Sequence, residues 1–313
     1  MASRKKTSTT LVLINRNSGT VRTRGAEAVQ TLVQAKLKPH FPGLRIELFS
    51  GDIAVPLQKA FSRSAITTVI AGGGDGTISS AAMALINKDV TLGVLPLGTM
   101  NLFSRALGFS SNLEQALDEM SQTCELNIDV GVINDRLFLR QVSFGLQPRL
   151  VRLRERIGYR SRLTKMLSGI KAFTLVAANP REVRIDLEVD GTLQSLKVPL
   201  VIVSNNRLGQ EINFSVQASL TDGELGLYAL KDFSPWTLVG LARDHLAKRL
   251  IVNPALDMTT AHNVVIYPRK SRLTRQRPKT ILASIDGELA NLTYPVMISL
   301  KPGSLKTLSL KTE

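Results

Sequence analysis

The chain has 313 residues, which is long enough for two globular domains. Its composition, 43% hydrophobic and 21% charged residues, excludes a disordered protein. Its formal net charge of +15 indicates an acidic partner, which nucleic acid, an anionic membrane surface or a polyphosphate substrate could each provide. The single cysteine excludes an internal disulfide, and no apolar run reaches the roughly 18 residues of a membrane span, so we expect a soluble, cytoplasmic protein.

Strand and helix patterns alternate through the first 130 residues. Apolar residues at helical spacing predict helices at 29–37 and 53–61, and an Ala-rich stretch predicts another from about 79 to 86. Short β-rich runs lie between them at 11–14, 44–48, 66–70 and 90–95. This alternation predicts a parallel sheet covered by helices, and therefore an α/β domain with a Rossmann-like nucleotide site.

From about residue 127 onwards, β patterns dominate. Asn134-Asp135 and Asp190-Gly191 mark turns between successive runs, the second with the signature of a tight hairpin. Helical patterns cover a basic stretch from 150 to 178 and a segment from 235 to 250, which has Pro235 near its first turn. The β runs are 125–133, 136–143, 184–189, 196–203, 225–230, 264–267, 281–285 and 296–300. We therefore expect a mainly antiparallel β domain with helices.

Residues 71–77, with the sequence AGGGDGT, lie directly between a predicted strand and a predicted helix. Consecutive glycines let the backbone approach a ligand closely and turn several N–H groups towards an anion. The following helix adds the positive end of its dipole, which favours phosphate. A carboxylate at Asp75 within such a nest makes sense if a cation accompanies the phosphate, as in Mg-ATP. The structural alternative is a tight glycine turn.

Two further motifs follow predicted strands of the same sheet. Residues 95–101 read LPLGTMN, and residues 15–19 read NRNSG. Because the ends of neighbouring parallel strands meet at one crevice, we expect these loops to line the same cleft as the triple glycine. Asn15 and Ser18 offer polar groups for phosphate, although capping of a helix is an alternative role.

A fourth motif, Ser-Ile-Asp-Gly-Glu at 284–288, follows a late β run. Phosphoryl transfer to an alcohol requires a carboxylate that positions the hydroxyl and accepts its proton. Asp286 and Glu288 could serve these roles, whereas Asp-Gly-Glu in isolation is also an ordinary turn sequence.

These four motifs, in this order, resemble the diacylglycerol-kinase catalytic family, which also includes sphingosine and ceramide kinases. The resemblance extends from about residue 11 to 310. The glycine-rich motif is shared with NAD kinases and phosphofructokinases, whereas the Gly-Thr-x-Asn turn and the late Asp-Gly-Glu are typical of the lipid kinases. The resemblance implies an ATP-dependent lipid kinase that phosphorylates a hydroxyl group of a membrane lipid.

The resemblance implies a role for each motif residue. Asp286 would be the general base, with Glu288 assisting, and Asp75 would lie near the catalytic magnesium. A structural magnesium would take the side chain of Asp222 and the carbonyls of Ser219 and Glu224. The motifs and the resemblance together assign to ATP the residues Asn15, Ser18, Gly72, Gly73, Gly74, Asp75, Gly76, Thr77, Gly98, Thr99 and Asn101.

The resemblance also implies the domain organisation. A nucleotide-binding domain would cover 10–133, with 301–313 returning to it, and a lipid-substrate domain would cover 134–300. The sequence departs from the family at Leu102, where an acidic residue is usual, at Arg16, where proline is usual, and at Ser79-Ser80, where Asn-Glu is usual. A degenerate, non-catalytic member that binds lipid or nucleotide is therefore an alternative, as is a soluble-substrate kinase like the NAD kinases.

Two basic segments, 149–171 and 269–279, contain much of the positive charge. Anionic lipid attracts nearby Lys and Arg by roughly 1 kcal/mol each, so we expect these segments to bind the membrane surface. Leu150, Leu153 and other apolar residues among the arginines could enter the headgroup region. The alternative is a solvated charged face. Nucleic acid is disfavoured, because aromatic residues make up only 5% and no nucleic-acid motif is present. The sequence leaves the acceptor lipid open and is compatible with a homodimer.

Overall fold

The computed structural model describes residues 9–62, 65–157, 182–208, 219–246, 253–269 and 278–310. The chain divides into two compact units, one formed by Met1–Asp129 with Pro302–Glu313 and the other by Val130–Lys301. The predicted helical residues 158–178 and 247–250 lie outside the described residues.

The first unit is built on a parallel sheet in the order β2-β1-β3-β4. Strands β1, β3 and β4 are almost entirely buried, as expected for a sheet that is covered on both faces, whereas β2 is partly exposed. The end of the last strand, β16 (Val296–Ser309), runs parallel to β4, with Thr307 opposite Leu92. The strands are β1 (Thr10–Asn15), β2 (Arg45–Phe49), β3 (Thr68–Gly73) and β4 (Thr91–Pro96).

Six helices of the first unit surround this sheet. The structure corrects one predicted boundary, because α4 begins at Asp75 and not near residue 79. Gly74 is extended, and its carbonyl already accepts the N–H of Ile78 at 3.1 Å, so the last residues of the glycine motif form the first turn of the helix. The helices are α1 (Gly19–Arg24), α2 (Ala26–Leu37), α3 (Ala54–Phe61), α4 (Asp75–Leu85), α5 (Leu102–Ala106) and α6 (Leu113–Glu119).

The second unit is an antiparallel sandwich. One sheet has the order β12-β11-β10-β7-β14-β15, and the other continues from the start of β16 to β13, β8 and β9. Apolar side chains such as Phe144, Val203 and Ile266 fill the space between the sheets. The strands are β5 (Cys124–Ile133), β6 (Arg136–Phe138), β7 (Gln141–Gly145), β8 (Val183–Val189), β9 (Thr192–Val198), β10 (Leu200–Asn205), β11 (Leu225–Leu230), β12 (Leu256–Ala261), β13 (Asn263–Pro268), β14 (Thr280–Ile285), β15 (Glu288–Thr293) and β16 (Val296–Ser309).

The described residues of this unit contain two helices, α7 (Leu146–Ile157) and α8 (Pro235–Leu246). α7 packs against β7, β14 and β15. Its Leu150 and Leu153 pack against a small cluster that includes Leu230, on the outer face of the six-stranded sheet. The predicted α/β domain and the mainly antiparallel β domain are both confirmed. No helix in the described part of the chain is both long and apolar enough to cross a membrane.

Two of the predicted β runs are each divided into two strands in the structure. The run 196–203 breaks at Pro199, after which β10 joins the opposite sheet from β9. Proline has no N–H to continue a ladder, and the carbonyl of Pro199 instead accepts the N–H of Leu146 at 3.0 Å. The run 136–143 breaks similarly, between β6 and β7. Strands β12 and β15 were not predicted, because their alternation is weak.

Candidate functional site

Three sequence motifs of the first unit meet at one edge of its sheet. Strands β1, β3 and β4 are parallel and end at Asn15, Gly73 and Pro96. The N–H of Leu97 donates to the carbonyl of Gly73 at 3.2 Å, and the N–H of Thr20 donates to the carbonyl of Leu97 at 3.1 Å. Backbone hydrogen bonds therefore connect the three loops, in the arrangement expected for a parallel sheet.

Asn15 connects the first motif to the glycine motif. Its Nδ2 donates to Oγ1 of Thr77 at 3.1 Å, in the first turn of α4. Ser18 is buried, and its hydroxyl donates to the backbone carbonyl of Asn15 at 2.8 Å. The side chains of Asn15 and Thr77 thus brace each other, while Ser18 stabilises the loop that follows β1.

Glycine is required at positions 73 and 98, because neighbouring atoms leave no room for a Cβ atom. A Cβ atom at Gly98 would lie 2.5 Å from Cα of Gly74, which belongs to the facing loop. A Cβ atom at Gly73 would lie 2.5 Å from Cβ of Thr77. Any side chain at either position would push the glycine loop away from its neighbours.

Asp75 stabilises the third loop. Its Oδ1 accepts the N–H of Leu102 at 2.7 Å and the N–H of Phe103 at 3.3 Å, at the start of α5. Asn101 is buried with a left-handed backbone (φ 48°), and its side-chain amide bonds to both the N–H and the carbonyl of Gly98. Thr99, between them, is exposed. Leu102 therefore contributes its backbone N–H where the family usually has an acidic side chain.

The residues around α4 fit a phosphate and a cation. No side chain caps the first turn of α4 at Gly74, so the N-terminal N–H groups and the helix dipole are available to an anion. Oδ2 of Asp75 has no hydrogen bond among the described residues, and a carboxylate oxygen is the donor that Mg²⁺ prefers. The described residues contain no cluster of three or more His, Cys, Asp or Glu side chains that could hold a metal alone. A cation here would therefore take further ligands from phosphate and water.

Asp286 occupies a two-residue hairpin between β14 and β15. Asp286 and Gly287 have positive φ angles of 48° and 98°, and Ile285 pairs with Glu288. The N–H groups of the segment that joins β6 to β7 donate to the carboxylate of Asp286. Leu139 donates to Oδ2 at 2.7 Å, and Arg140 and Gln141 donate to Oδ1 at 2.9 and 3.0 Å. These bonds fix the direction of the carboxylate.

The two acidic residues of this motif have different environments. The residue Asp286 is only half-buried, but its carboxyl group is enclosed, and this burial raises its pKa above the ordinary aspartate value. The backbone donors at Leu139 and Gln141 and the charge of Arg140 oppose the increase. Glu288, the first residue of β15, is exposed.

The expected structural metal site lies in the segment before β11. Asp222 is exposed, and Gly223 has a positive φ of 71°. The hydroxyl of Ser219 accepts the N–H of Thr221 at 3.1 Å. The carboxylate of Glu224 accepts a hydrogen bond from Arg207 at 2.7 Å, which lowers its pKa. This ion pair occupies the side chain of Glu224.

Two residues near these motifs were missed. Arg140 is almost completely buried beside Asp286, and the signal for it is a single charge within the apolar run LFLRQV. Asp129 is a buried carboxylate in β5 whose Oδ1 accepts the N–H of Gly303 at 2.9 Å. An acidic residue inside a predicted buried strand is the corresponding signal.

The structure describes only part of the two basic segments. Arg152, Arg269 and Lys279 are exposed. Leu150 and Leu153 are half-buried and pack against the protein's own sheet, which does not favour the prediction that they enter the headgroup region. Residues 158–171 and 270–277 lie outside the described residues, and the side chains of 154–157 are likewise not described.

Comparisons with known proteins agree with this architecture. Residues 9–133 match the family model "Diacylglycerol kinase catalytic domain", and residues 141–309 match the model "YegS C-terminal NAD kinase beta sandwich-like domain". An uncharacterized protein of Synechocystis is 24% identical over 76% of this chain, and the match covers 53% of that protein, so the chain spans about half of its length.

Other relatives match over most of their length. The "Probable lipid kinase YegS-like" of Pseudomonas aeruginosa is 29% identical over 74% of each chain. The diacylglycerol kinase of Bacillus subtilis is 27% identical over 78% of each chain. A crystal structure of a diacylglycerol kinase from Bacillus anthracis superimposes with a TM-score of 0.67 at 18% identity, covering 98% of both chains, which establishes the same fold.

Proposed function

The chain belongs to the diacylglycerol kinase catalytic family and is a kinase of the lipid-kinase type. We therefore propose that it transfers the γ-phosphate of ATP, with Mg²⁺, to a hydroxyl group of a membrane lipid. The observation that supports this most directly is the joining of three strand-end loops around the uncapped start of α4. Such a site binds phosphate through backbone N–H groups.

In the first unit, the residues of the glycine motif hold the phosphates. The N–H groups from Gly74 to Thr77 face the anion, and Asn15 and Asn101 keep the flanking loops in place. Asp75 has two roles, since Oδ1 fixes the start of α5 while Oδ2 is directed to the cation. Bound Mg-ATP supplies the phosphoryl group and the positive charge that offsets the charge of the transition state.

In the second unit, Asp286 is the general base. Its two carboxylate oxygens offer about four lone-pair positions, and three backbone N–H groups occupy part of that capacity. The raised pKa makes the carboxylate a stronger base than an ordinary aspartate. The charge of Arg140 opposes this increase in the pKa.

The charge of the protein supports peripheral binding to its substrate bilayer. Arg152, Arg269 and Lys279 are exposed members of the two basic segments, and the net charge is +15. Anionic headgroups attract such residues through a Debye length of about 8–10 Å at physiological salt. A second, structural magnesium at Ser219, Asp222 and Glu224 would stabilise the turn before β11.

A partition assay tests the function. The purified chain is incubated with γ-labelled ATP, Mg²⁺ and mixed lipid vesicles, and the lipids are then extracted into organic solvent. We expect label in the organic phase, with diacylglycerol and sphingoid alcohols supplied separately to find the acceptor. Parallel reactions with NAD test the second candidate, an NAD kinase, which the name of the C-terminal family model favours. Label on NAD alone, or on no acceptor, would contradict the proposal.

A further inference from the structure

Two serines in the second unit have buried hydroxyl groups that the fold does not use. Ser143 of β7 and Ser284 of β14 are directly opposite each other in the antiparallel ladder. They are 0% and 1% exposed. Within the part of the chain that the structure describes, neither Oγ has a hydrogen-bond partner. Two facing polar groups are therefore enclosed without compensation.

These hydroxyls are on the outer face of the six-stranded sheet. Side chains alternate along a strand, and the neighbours Val142, Phe144 and Ala283 belong to the core between the two sheets. Ser143 and Ser284 consequently point away from that core. This is the face against which α7 packs, since the helix contacts β7, β14 and β15.

The pair continues a polar row that begins at the proposed base. Two residues further along each strand, the N–H of Asp286 donates to the carbonyl of Gln141, and the N–H of Gln141 donates to the carboxylate of Asp286. Gln141 is 8% exposed, and its Oε1 also has no partner among the described residues. Two residues of strand correspond to about 7 Å, so the serine hydroxyls lie within the reach of a molecule whose reacting hydroxyl touches Asp286.

A purely structural role does not account for this row. A buried hydroxyl without a partner is less favourable than a methyl group of similar size, because it has lost its hydrogen bonds to water. Ser204, on the same face of the same sheet, shows how the fold satisfies a structural serine. Its hydroxyl donates to the carbonyl of Asn206 at 2.5 Å.

Resting on the proposed function, we propose that Ser143 and Ser284 determine acceptor specificity by donating hydrogen bonds to carbonyl oxygens of the acceptor lipid, beside the hydroxyl that Asp286 deprotonates. An acylglycerol has the required chemistry, since its ester carbonyls lie a few bonds from its free hydroxyl. The row is closed to solvent, so the lipid reaches it only when α7 moves away from β7 and β14. Gln141 extends the polar row towards the reacting hydroxyl.

The test uses two acceptors that differ only in their carbonyl groups. Diacylglycerol and the matching dialkylglycerol have the same free hydroxyl and the same chains, but the ether lipid has no carbonyl oxygen. We expect the kcat/KM of the wild-type protein to be higher for diacylglycerol than for dialkylglycerol. Each serine should contribute a factor of roughly three to ten to this ratio, the value of one neutral hydrogen bond. Ser143→Ala and Ser284→Ala should each reduce that preference, and the double variant should abolish it. The KM for ATP and the rate on dialkylglycerol should not change.

Thermal unfolding provides the control. Removal of an uncompensated hydroxyl should leave Tm unchanged or raise it for both alanine variants. Ser204→Ala should instead lower Tm, because it breaks a hydrogen bond, and should keep the wild-type acceptor preference. Variants that retain the wild-type preference would overturn the inference, as would an enzyme that phosphorylates other lipid alcohols but not diacylglycerol. A wild-type protein that labels no lipid at all would instead refute the proposed kinase function.

Discussion

Two hairpins of the second unit have almost the same local structure. Asp190-Gly191 joins β8 to β9, and Asp286-Gly287 joins β14 to β15, each with positive φ at both residues. Each aspartate also accepts backbone N–H groups from another segment. Asp190 accepts the N–H groups of His262 and Asn263, at 3.0 and 2.8 Å to Oδ1, as Asp286 accepts those between β6 and β7.

The environments of these two aspartates nevertheless differ. The side chain of Asp190 is 42% exposed, and Nδ1 of His262 lies 3.8 Å from its Oδ2. The carboxyl group of Asp286 is enclosed, has a raised pKa, and lies beside the buried Arg140. The same dipeptide therefore makes a structural turn at one place and a candidate base at the other. Burial and neighbouring charge, which depend on distant segments, produce the difference.

The largest expected effect is a difference in lipid kinase activity between variants of the two hairpin aspartates. Asp286→Asn removes the base and should reduce lipid kinase activity by about 10²- to 10⁴-fold. Asp190→Asn should leave activity within about twofold, since Asn-Gly suits the same turn and its amide oxygen still accepts the N–H of Asn263. Initial rates with labelled ATP and saturating lipid measure both. Equal losses in the two variants would mean that Asp286 is only another turn residue.

A second prediction contrasts a glycine of the nucleotide loops with a glycine of the hairpins. A Cβ atom at Gly191 or Gly287 would enter open space, whereas Gly98 approaches Gly74 too closely for any side chain. Gly98→Ala should reduce kcat/KM for ATP on the order of 100-fold through displaced loops, and should weaken binding of a fluorescent ATP analogue.

The matched control for this substitution is Gly191→Ala. Its Cβ atom would enter open space, although φ is +85°. Backbone strain should therefore lower Tm and leave nucleotide binding intact. Unchanged nucleotide binding in Gly98→Ala would disprove the role of the close contact.

The smallest expected effect is a shift in pH dependence. Asp286 must be ionised to act as a base, so activity falls as the pH decreases through its raised pKa. The charge of Arg140 lowers that pKa. Arg140→Gln should therefore move the acidic limb of the kcat/KM profile to higher pH.

The corresponding variant at the other hairpin is His262→Gln, which removes the imidazole near Asp190. It should leave the acidic limb where it is in the wild-type protein. If the acidic limb of the kcat/KM profile did not move in Arg140→Gln, or moved equally in both variants, the limb would belong to a group other than Asp286.

The sequence alone determined the class of each domain and the positions of the motifs. Alternating strand and helix patterns predicted the parallel sheet, and neighbouring parallel strands bring the loops after Ile14, Ile70 and Leu95 to one edge. These features are local, because they depend on the period of apolar residues and on glycine.

Only the tertiary structure decided which segments meet. It placed the N–H groups of Leu139 to Gln141 on Asp286, divided the run 196–203 at Pro199 between two sheets, and turned Leu150 and Leu153 towards the protein. It also left Ser143 opposite Ser284. Hydrogen-bond partners and burial depend on contacts between residues far apart in sequence, and the period of a pattern does not specify them.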